Sequence, residues 1–157
     1  RSVADECHIA LGTLYNYYSN KDELLLAIVE DIWKAIFHMD HKCPTDFTFP
    51  EYVAYIFECI QKGAEDYPDF FTAHSVSIAN SEKGKAKSTM KHYFDHMKTG
   101  MLEVLKADDR VSGEAFSSAF TEMEFIDFVL DNLLLLLIQG KTSCEVLKET
   151  IRRTIYL

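Results

Sequence analysis

The chain has 157 residues, 48% of them hydrophobic, and a formal net charge of −9. This length suits one well-buried unit or a small module joined to a larger one, and the hydrophobic share is typical of globular proteins. Glycine and proline are scarce, and no alternating apolar runs bounded by tight-turn pairs occur, which argues against a sandwich of short strands. We therefore expect an all-α fold. The acidic balance, taken alone, opposes binding to nucleic acid.

The cysteines and the apolar runs indicate the compartment. Cys7, Cys43, Cys59 and Cys144 lie far apart and form no Cys-x-x-Cys pair, so free thiols in a reducing environment are expected rather than disulfides. No signal peptide opens the chain. The most apolar run, Phe125 to Ile138, is too short and too interrupted by acidic residues to span a membrane. The sequence predicts a soluble, cytoplasmic protein without membrane contact.

The first 25 residues hold the most informative pattern in the chain. We expect a short helix over Ser2 to Cys7, a tight break at His8-Ile9 and a second short helix from Ala10. This succession is typical of a helix-turn-helix, whose second helix lies in the major groove of DNA. The alternative is a plain helical corner in which Leu14, Tyr15 and Tyr18 are only core residues.

This segment resembles the tetracycline-repressor (TetR) family of transcription regulators. The resemblance lies in Val3-Ala4, His8-Ile9, Gly12-Thr13-Leu14-Tyr15, Tyr17-Tyr18 and Asn20-Lys21-Asp22-Glu23-Leu24. It implies a homodimer that binds double-stranded operator DNA through this head and is a repressor released by a small, apolar ligand bound in a helical body. The family commonly has glycine at His8 and serine at Ala10. His8 must therefore take a left-handed backbone or reshape the turn, and Ala10 cannot cap the helix.

The residue types in this head suit DNA. Gly12 lets the backbone come close to a phosphate, while Thr13 and Lys21 offer a hydroxyl and a cation to phosphate oxygens. The resemblance implies that Leu11 and Asn16 read bases. The predicted DNA-contacting residues are Ala10, Leu11, Gly12, Thr13, Tyr15, Asn16, Tyr17 and Lys21.

The charge of the head conflicts with this prediction. Residues 1–25 carry two basic against four acidic side chains, a net charge of −2. Members of the family carry a further helix, usually preceded by a basic arm, ahead of this point. We expect that helix to be missing from the sequence in hand.

The helices of the body follow from apolar stripes and caps. Ser19 with Asp22 predicts a capping box that opens a connector helix, which completes a DNA-binding domain over residues 1–37. Residues 38–157 would form the ligand-binding and dimerisation domain. We expect a loop from His38 to Phe49 and a helix that starts at Pro50 and ends between Gly63 and Pro68.

Four further helices are predicted after Pro68. They are a short helix from Asp69 to Ala79, a long amphipathic helix through Met90 to Leu105, a helix from Ser112 to Gly140, and a last helix opened by a capping box of Thr142 with Glu145. Polar loops over Asn80 to Lys85 and Asp108 to Gly113 separate the first three.

The resemblance also implies a ligand cavity and a dimer interface in the body. The candidates for the cavity are Phe57, Phe71, His74, Tyr93, Met97, Met101, Phe125 and Asn132. A solid core built from the same apolar residues is the alternative. The candidates for the interface are Phe128, Val129, Leu133, Leu136, Leu137, Leu147 and Ile151, because so many apolar residues on two helices exceed what a small monomer buries.

Two histidine clusters could hold a metal ion. His92 and His96 stand four apart on one predicted helix, and His38, His41 and Cys43 share a loop, although ordinary surface residues are the alternative in both places. We assign no metal, no cofactor and no enzymatic activity, since no nucleophile with a base can be assembled. The rival to DNA binding is a helical small-molecule or metal sensor that does not bind DNA.

Overall fold

A computed structural model of the chain describes residues 2–37, 47–67 and 84–156, and its regular elements are helices. The helices are α1 (Ser2–Glu6), α2 (Leu11–Tyr17), α3 (Lys21–Phe37), α4 (Phe49–Asp66), α5 (Gly84–Ala107), α6 (Glu122–Ile138) and α7 (Glu145–Ile155). The predicted all-α class is confirmed. The helix predicted over Asp69 to Ala79 lies outside the described residues, as does nearly all of the loop predicted after His38. Among the described residues no helix is long and apolar enough to cross a membrane.

Two helices begin at complete capping boxes. At α4, the Thr48 hydroxyl accepts a hydrogen bond from the Glu51 amide, and the Glu51 carboxylate accepts one from the Thr48 amide at 2.8 Å. Pro50 lies in the first turn, where its missing N–H costs nothing. Thr121 and Glu124 make the same pair of bonds at the start of α6. These reciprocal bonds satisfy amides that the helix itself leaves free.

Three predicted helix starts need correction. Residues 112–121 are not helical, because the Thr121 capping box starts α6 at Glu122, ten residues after the predicted start at Ser112. α3 is capped by Asn20 rather than Ser19: the Asn20 side chain accepts from the Glu23 amide at 2.9 Å. α7 has Cys144 at its N-cap and no capping box of Thr142 with Glu145.

α4 is the central helix of the body because it packs against α3, α5, α6 and α7. Its inward stripe is almost fully buried and consists of Phe49, Val53, Ile56, Phe57 and Ile60. α3 joins this core through Trp33, which is 1% exposed and meets the ring of Phe94 edge-on at a centroid distance of 6.2 Å. The connector helix therefore runs from the head directly into the core.

A buried carboxylate holds the ends of three helices together. The Asp108 side chain, just after α5, accepts a hydrogen bond from the Phe49 amide at the start of α4 at 2.8 Å. It also accepts one from the hydroxyl of Tyr156, the residue that follows α7. The amide and the Nε of Arg110 both donate to its other oxygen at 3.2 Å. These donors compensate for removing the carboxylate from water.

Burial in the protomer corrects part of the predicted dimer interface. Val129, Leu133, Leu147 and Ile151 are 0 to 7% exposed within a single chain, so they are core residues and cannot cover a partner. Phe128 remains 51% exposed, while Leu136 and Leu137 are half-buried. The prediction included too many interface residues. It assumed that a single chain could not bury a helix that is apolar on nearly all sides.

Candidate nucleic-acid interface

The turn between α1 and α2 is tight and internally hydrogen-bonded. His8 has a φ of 54°, so of the two predicted alternatives it takes the left-handed backbone. The His8 amide donates to the Asp5 carbonyl at 3.2 Å, and the Ile9 amide donates to the Ala4 carbonyl at 3.0 Å. The left-handed conformation is unfavourable for a residue with a Cβ. The two hydrogen bonds of the turn therefore stabilise His8 in a conformation that it rarely adopts.

The second helix begins without a side-chain cap. Ala10 is extended and its methyl group accepts nothing, as expected. Its carbonyl accepts the Thr13 amide at 2.9 Å, and the Tyr18 amide closes the far end by donating to the Leu14 carbonyl at 3.0 Å. α2 is therefore a short helix held mainly by its own backbone bonds and by the turn before it.

α2 shows two unlike sides. Leu14 and Tyr18 are half-buried, whereas Gly12, Thr13 and Asn16, which helical spacing places away from them, are exposed. The outward residues are Gly12, Thr13, Asn16 and Tyr17. Tyr17 is 79% exposed, and a Cβ added at Gly12 would meet no atom within 4 Å. We call these four residues the outward face of α2.

The remaining predicted DNA residues lie elsewhere on the head. Leu11, Tyr15 and Lys21 are exposed but line a cleft of about 270 Å³ among α1, α2 and α3. Leu11 therefore lies closer to the packed side of α2 than Asn16 does, so of the two predicted base readers Asn16 is the one that faces outward.

Lys21 opens α3 next to an acidic group. The Glu23 carboxylate accepts a hydrogen bond from the Ser19 amide at 2.7 Å, so one amide that could have met a phosphate is already satisfied. No acidic side chain that the structure describes forms an ion pair with Lys21, whereas Lys34 in the same helix pairs with Asp31 at 3.8 Å. The Lys21 ammonium is thus available to a partner of opposite charge.

The predicted ligand residues are dispersed. Phe57, Met97, Met101 and Phe125 are at most 6% exposed and belong to the core. As cavity walls they stay a prediction. The Asn132 side chain donates to the Phe128 carbonyl of its own helix at 2.8 Å. Phe71 and His74, and the side chain of Tyr93, lie outside the described residues.

The metal alternatives gain no support. Among the residues that the structure describes, no group of three His, Cys, Asp or Glu side chains could hold a metal ion. His96 is exposed, and the side chain of His92 lies outside the description, as do His38, His41 and Cys43. Cys7, Cys59 and Cys144 are free thiols, as predicted.

Comparisons of the chain with protein-family models, with curated proteins and with solved structures found no match. The resemblance to the TetR family therefore depends on the head motif alone. The function is accordingly inferred from the geometry of the head and from the way α3 joins it to the core.

Proposed function

We propose that this protein binds double-stranded DNA through α2 and the start of α3 and thereby regulates transcription. The observation that carries the proposal is that α2 has no buried residue. A helix that adds nothing to the core, yet is set against α1 by a turn with His8 in a left-handed conformation, is well explained as a surface for a partner. Its outward face holds small and hydrogen-bonding residues.

The chemistry of this face fits the major groove. Thr13 and Tyr17 offer hydroxyl donors to phosphate oxygens, and Gly12 lets the backbone approach the duplex. Asn16 can make the paired hydrogen bonds by which amide side chains recognise adenine. Lys21 supplies the cation whose phosphate contact releases a counterion.

The finer parts of the proposal come from the resemblance to the TetR family. We infer a homodimeric repressor that leaves its operator when a small molecule binds. α3 supports this inference because it starts in the head and ends in the core, where Trp33 and Ile36 are buried. A change in how α3 lies on the body would move the head with it.

One observation favours the rival, a helical sensor without DNA binding. Asp5 and Glu6 are exposed on α1, beside the proposed DNA surface, and the chain carries a net charge of −9. These charges repel a phosphate backbone unless basic residues elsewhere offset them. Selection of duplexes from a randomised pool decides between DNA binding and the sensor.

The test uses the protein expressed from its complete open reading frame and a pool of duplexes with a randomised centre. Successive rounds of selection should enrich one sequence family, and anisotropy titrations should show affinity that falls steeply with salt. The double variant Asn16→Ala, Tyr17→Phe should lose the sequence preference while keeping its stability, because both side chains are exposed. A pool without enrichment and without salt-dependent binding would reject DNA binding and favour the sensor.

A further inference from the structure

A groove runs between α3 and α4, on the body side of the connector helix. Its volume is about 410 Å³, which is in the range of small-molecule sites. Ile36 and Gly63 form its floor where the two helices cross. The groove lies apart from the residues predicted to line a cavity, and nothing in the sequence pattern marked it.

The walls of the groove are aromatic and apolar. Tyr55 and Tyr67 both line it, and Tyr67 is 41% exposed. Cys59 also lines the groove, and burial raises the pKa of its thiol, although a hydrogen bond with Tyr55 lowers that pKa in part. The thiol is therefore neutral at neutral pH and adds no charge to the groove. Tyrosine ring faces attract flat rings and organic cations.

The rim of the groove carries charges of both signs with a negative excess. Glu58, Lys62 and Asp66 all line the groove and follow one another at four-residue spacing on α4. No described side chain forms an ion pair with any of the three. Two carboxylates against one ammonium favour a cation over an anion, and the overall negative charge of the chain acts in the same direction.

We propose that this groove binds a small organic cation that combines an aromatic ring with an amine. The ring would lie against Tyr67, beside Tyr55, whose own ring already stacks on Tyr52 at a centroid distance of 6.2 Å. The ammonium would face Glu58 and Asp66. An occupant of the groove touches Ile36 and Gly63, so it acts at the crossing of α3 and α4. The idea that the bound cation moves the head rests on the proposed function. The binding of the cation in the groove does not.

Trp33 provides a reporter for this site. It is the single tryptophan of the chain, lies one helical turn before Ile36 and is 1% exposed. Three probes share a butylphenyl group and differ in the head group: para-butylbenzylamine, para-butylbenzyl alcohol and para-butylbenzoate. Titrations without DNA, followed by Trp33 fluorescence and by calorimetry, should show saturable binding of the amine, roughly fivefold weaker binding of the alcohol, and the weakest binding for the carboxylate.

Three variants locate the binding. Glu58→Gln should weaken binding of the amine roughly threefold, the scale of one exposed charge contact. Cys59→Phe should fill the groove and abolish binding of the amine. Glu65→Gln, an exposed residue of α4 that does not line the groove, is the matched control and should change nothing. Because Glu58→Gln changes only an exposed side chain, the test still holds if Cys59→Phe does not fold.

Three outcomes would overturn the site: no saturable binding of the amine, equal binding of amine and alcohol, or equal effects of Glu58→Gln and Glu65→Gln. A protein that binds the amine but never binds DNA would refute the proposed function and leave the groove site in place. A protein that binds a selected duplex but not the amine would refute the groove site alone. Release of that duplex by the amine, lost in Glu58→Gln at matched amine concentration, would support the effector role.

Discussion

The backbone of Gly63 in α4 lies directly against the side chain of Ile36 in α3. A Cβ added at position 63 would stand 2.5 Å from Cγ1 of Ile36 and 2.6 Å from its Cδ1. Ile36 is 5% exposed, and a β-branched side chain in a helix has one strongly preferred rotamer, so it cannot turn away freely. The distance between the connector helix and the body therefore depends on glycine at this position.

We expect Gly63→Ala to destabilise the protein. The overpacked methyl group should cost about 1–3 kcal/mol. Alanine in a helix interior brings a gain of about 1 kcal/mol, so the net loss of stability should be up to about 2 kcal/mol. Urea unfolding followed by circular dichroism gives the change in the free energy of unfolding, and Trp33 fluorescence reports whether α3 has shifted.

Gly100→Ala in α5 is the matched control, because it brings the same gain in helix propensity. A Cβ there would meet only the terminal atoms of the Tyr52 side chain, the nearest at 2.9 Å, whereas two atoms of Ile36 lie within 2.6 Å at position 63. This variant should therefore lose less stability than Gly63→Ala. Equal destabilisation by the two variants would show that close approach at Gly63 is not special.

The Asp108 carboxylate should make stability depend on pH. Burial raises the pKa of Asp108, but the hydrogen bonds from Tyr156, from the Phe49 amide and from Arg110 outweigh it, so the pKa lies below the ordinary value of 3.8. A lowered pKa in the folded state adds stability above the unfolded pKa. That stability is lost as the pH falls through the folded value.

Asp108→Asn removes the charge that these donors satisfy. We expect a loss of about 1–3 kcal/mol at neutral pH, since the amide nitrogen cannot accept the bonds that the second carboxylate oxygen accepts. The difference from the parent should shrink as the pH falls below about 4. Denaturant unfolding at several pH values measures it. Asp109→Asn, an exposed neighbour, is the control, and a difference that stays constant at low pH would contradict the assignment.

Much of the fold followed from local signals in the sequence. Pro50 predicted the start of α4 to within one residue, and the spacing of apolar residues predicted α5. The capping box of Thr48 with Glu51 at that start was not part of the prediction. The start of α6 was placed too early, at Ser112, which has Ala115 three residues later and so cannot form a capping box. Thr121 and Glu124 do have the pattern, so the local signal for the observed start was present in the sequence and was missed.

The candidate sites were less predictable than the helices. Helical spacing places Leu11 and Asn16 on one short helix, but only the packing of α2 on its neighbours shows which of them faces outward. Four of the predicted dimer residues proved to be core residues for a related reason. The sequence does not distinguish an apolar side chain that is buried in its own chain, as Val129 is, from one that is left exposed, as Leu135 is.

Lys21→Ala tests the proposed phosphate contact. The variant should bind every duplex more weakly, and the slope of log affinity against log salt should decrease by about one, as for one lost phosphate contact. Gel-shift or anisotropy titrations at two salt concentrations measure both quantities. Lys34→Ala, in the same helix but paired with Asp31, should leave the slope unchanged. Equal slopes for the parent and Lys21→Ala would remove Lys21 from the interface.

The exposed stripe of α6 tests the proposed homodimer. Phe128, Leu135 and Ile138 are 50 to 76% exposed and, at helical spacing, share one side of α6. Leu135→Lys would place a charge in the middle of that stripe, so a dimer built on it should dissociate while the fold of the protomer is unaffected. Multi-angle light scattering gives the mass, and circular dichroism checks the helices. Val146→Lys in α7 replaces a residue that is 83% exposed and lies off the stripe, so it should leave the mass unchanged. A parent protein that is monomeric at micromolar concentration, or a Leu135→Lys variant that stays dimeric, would show that this stripe is not the interface.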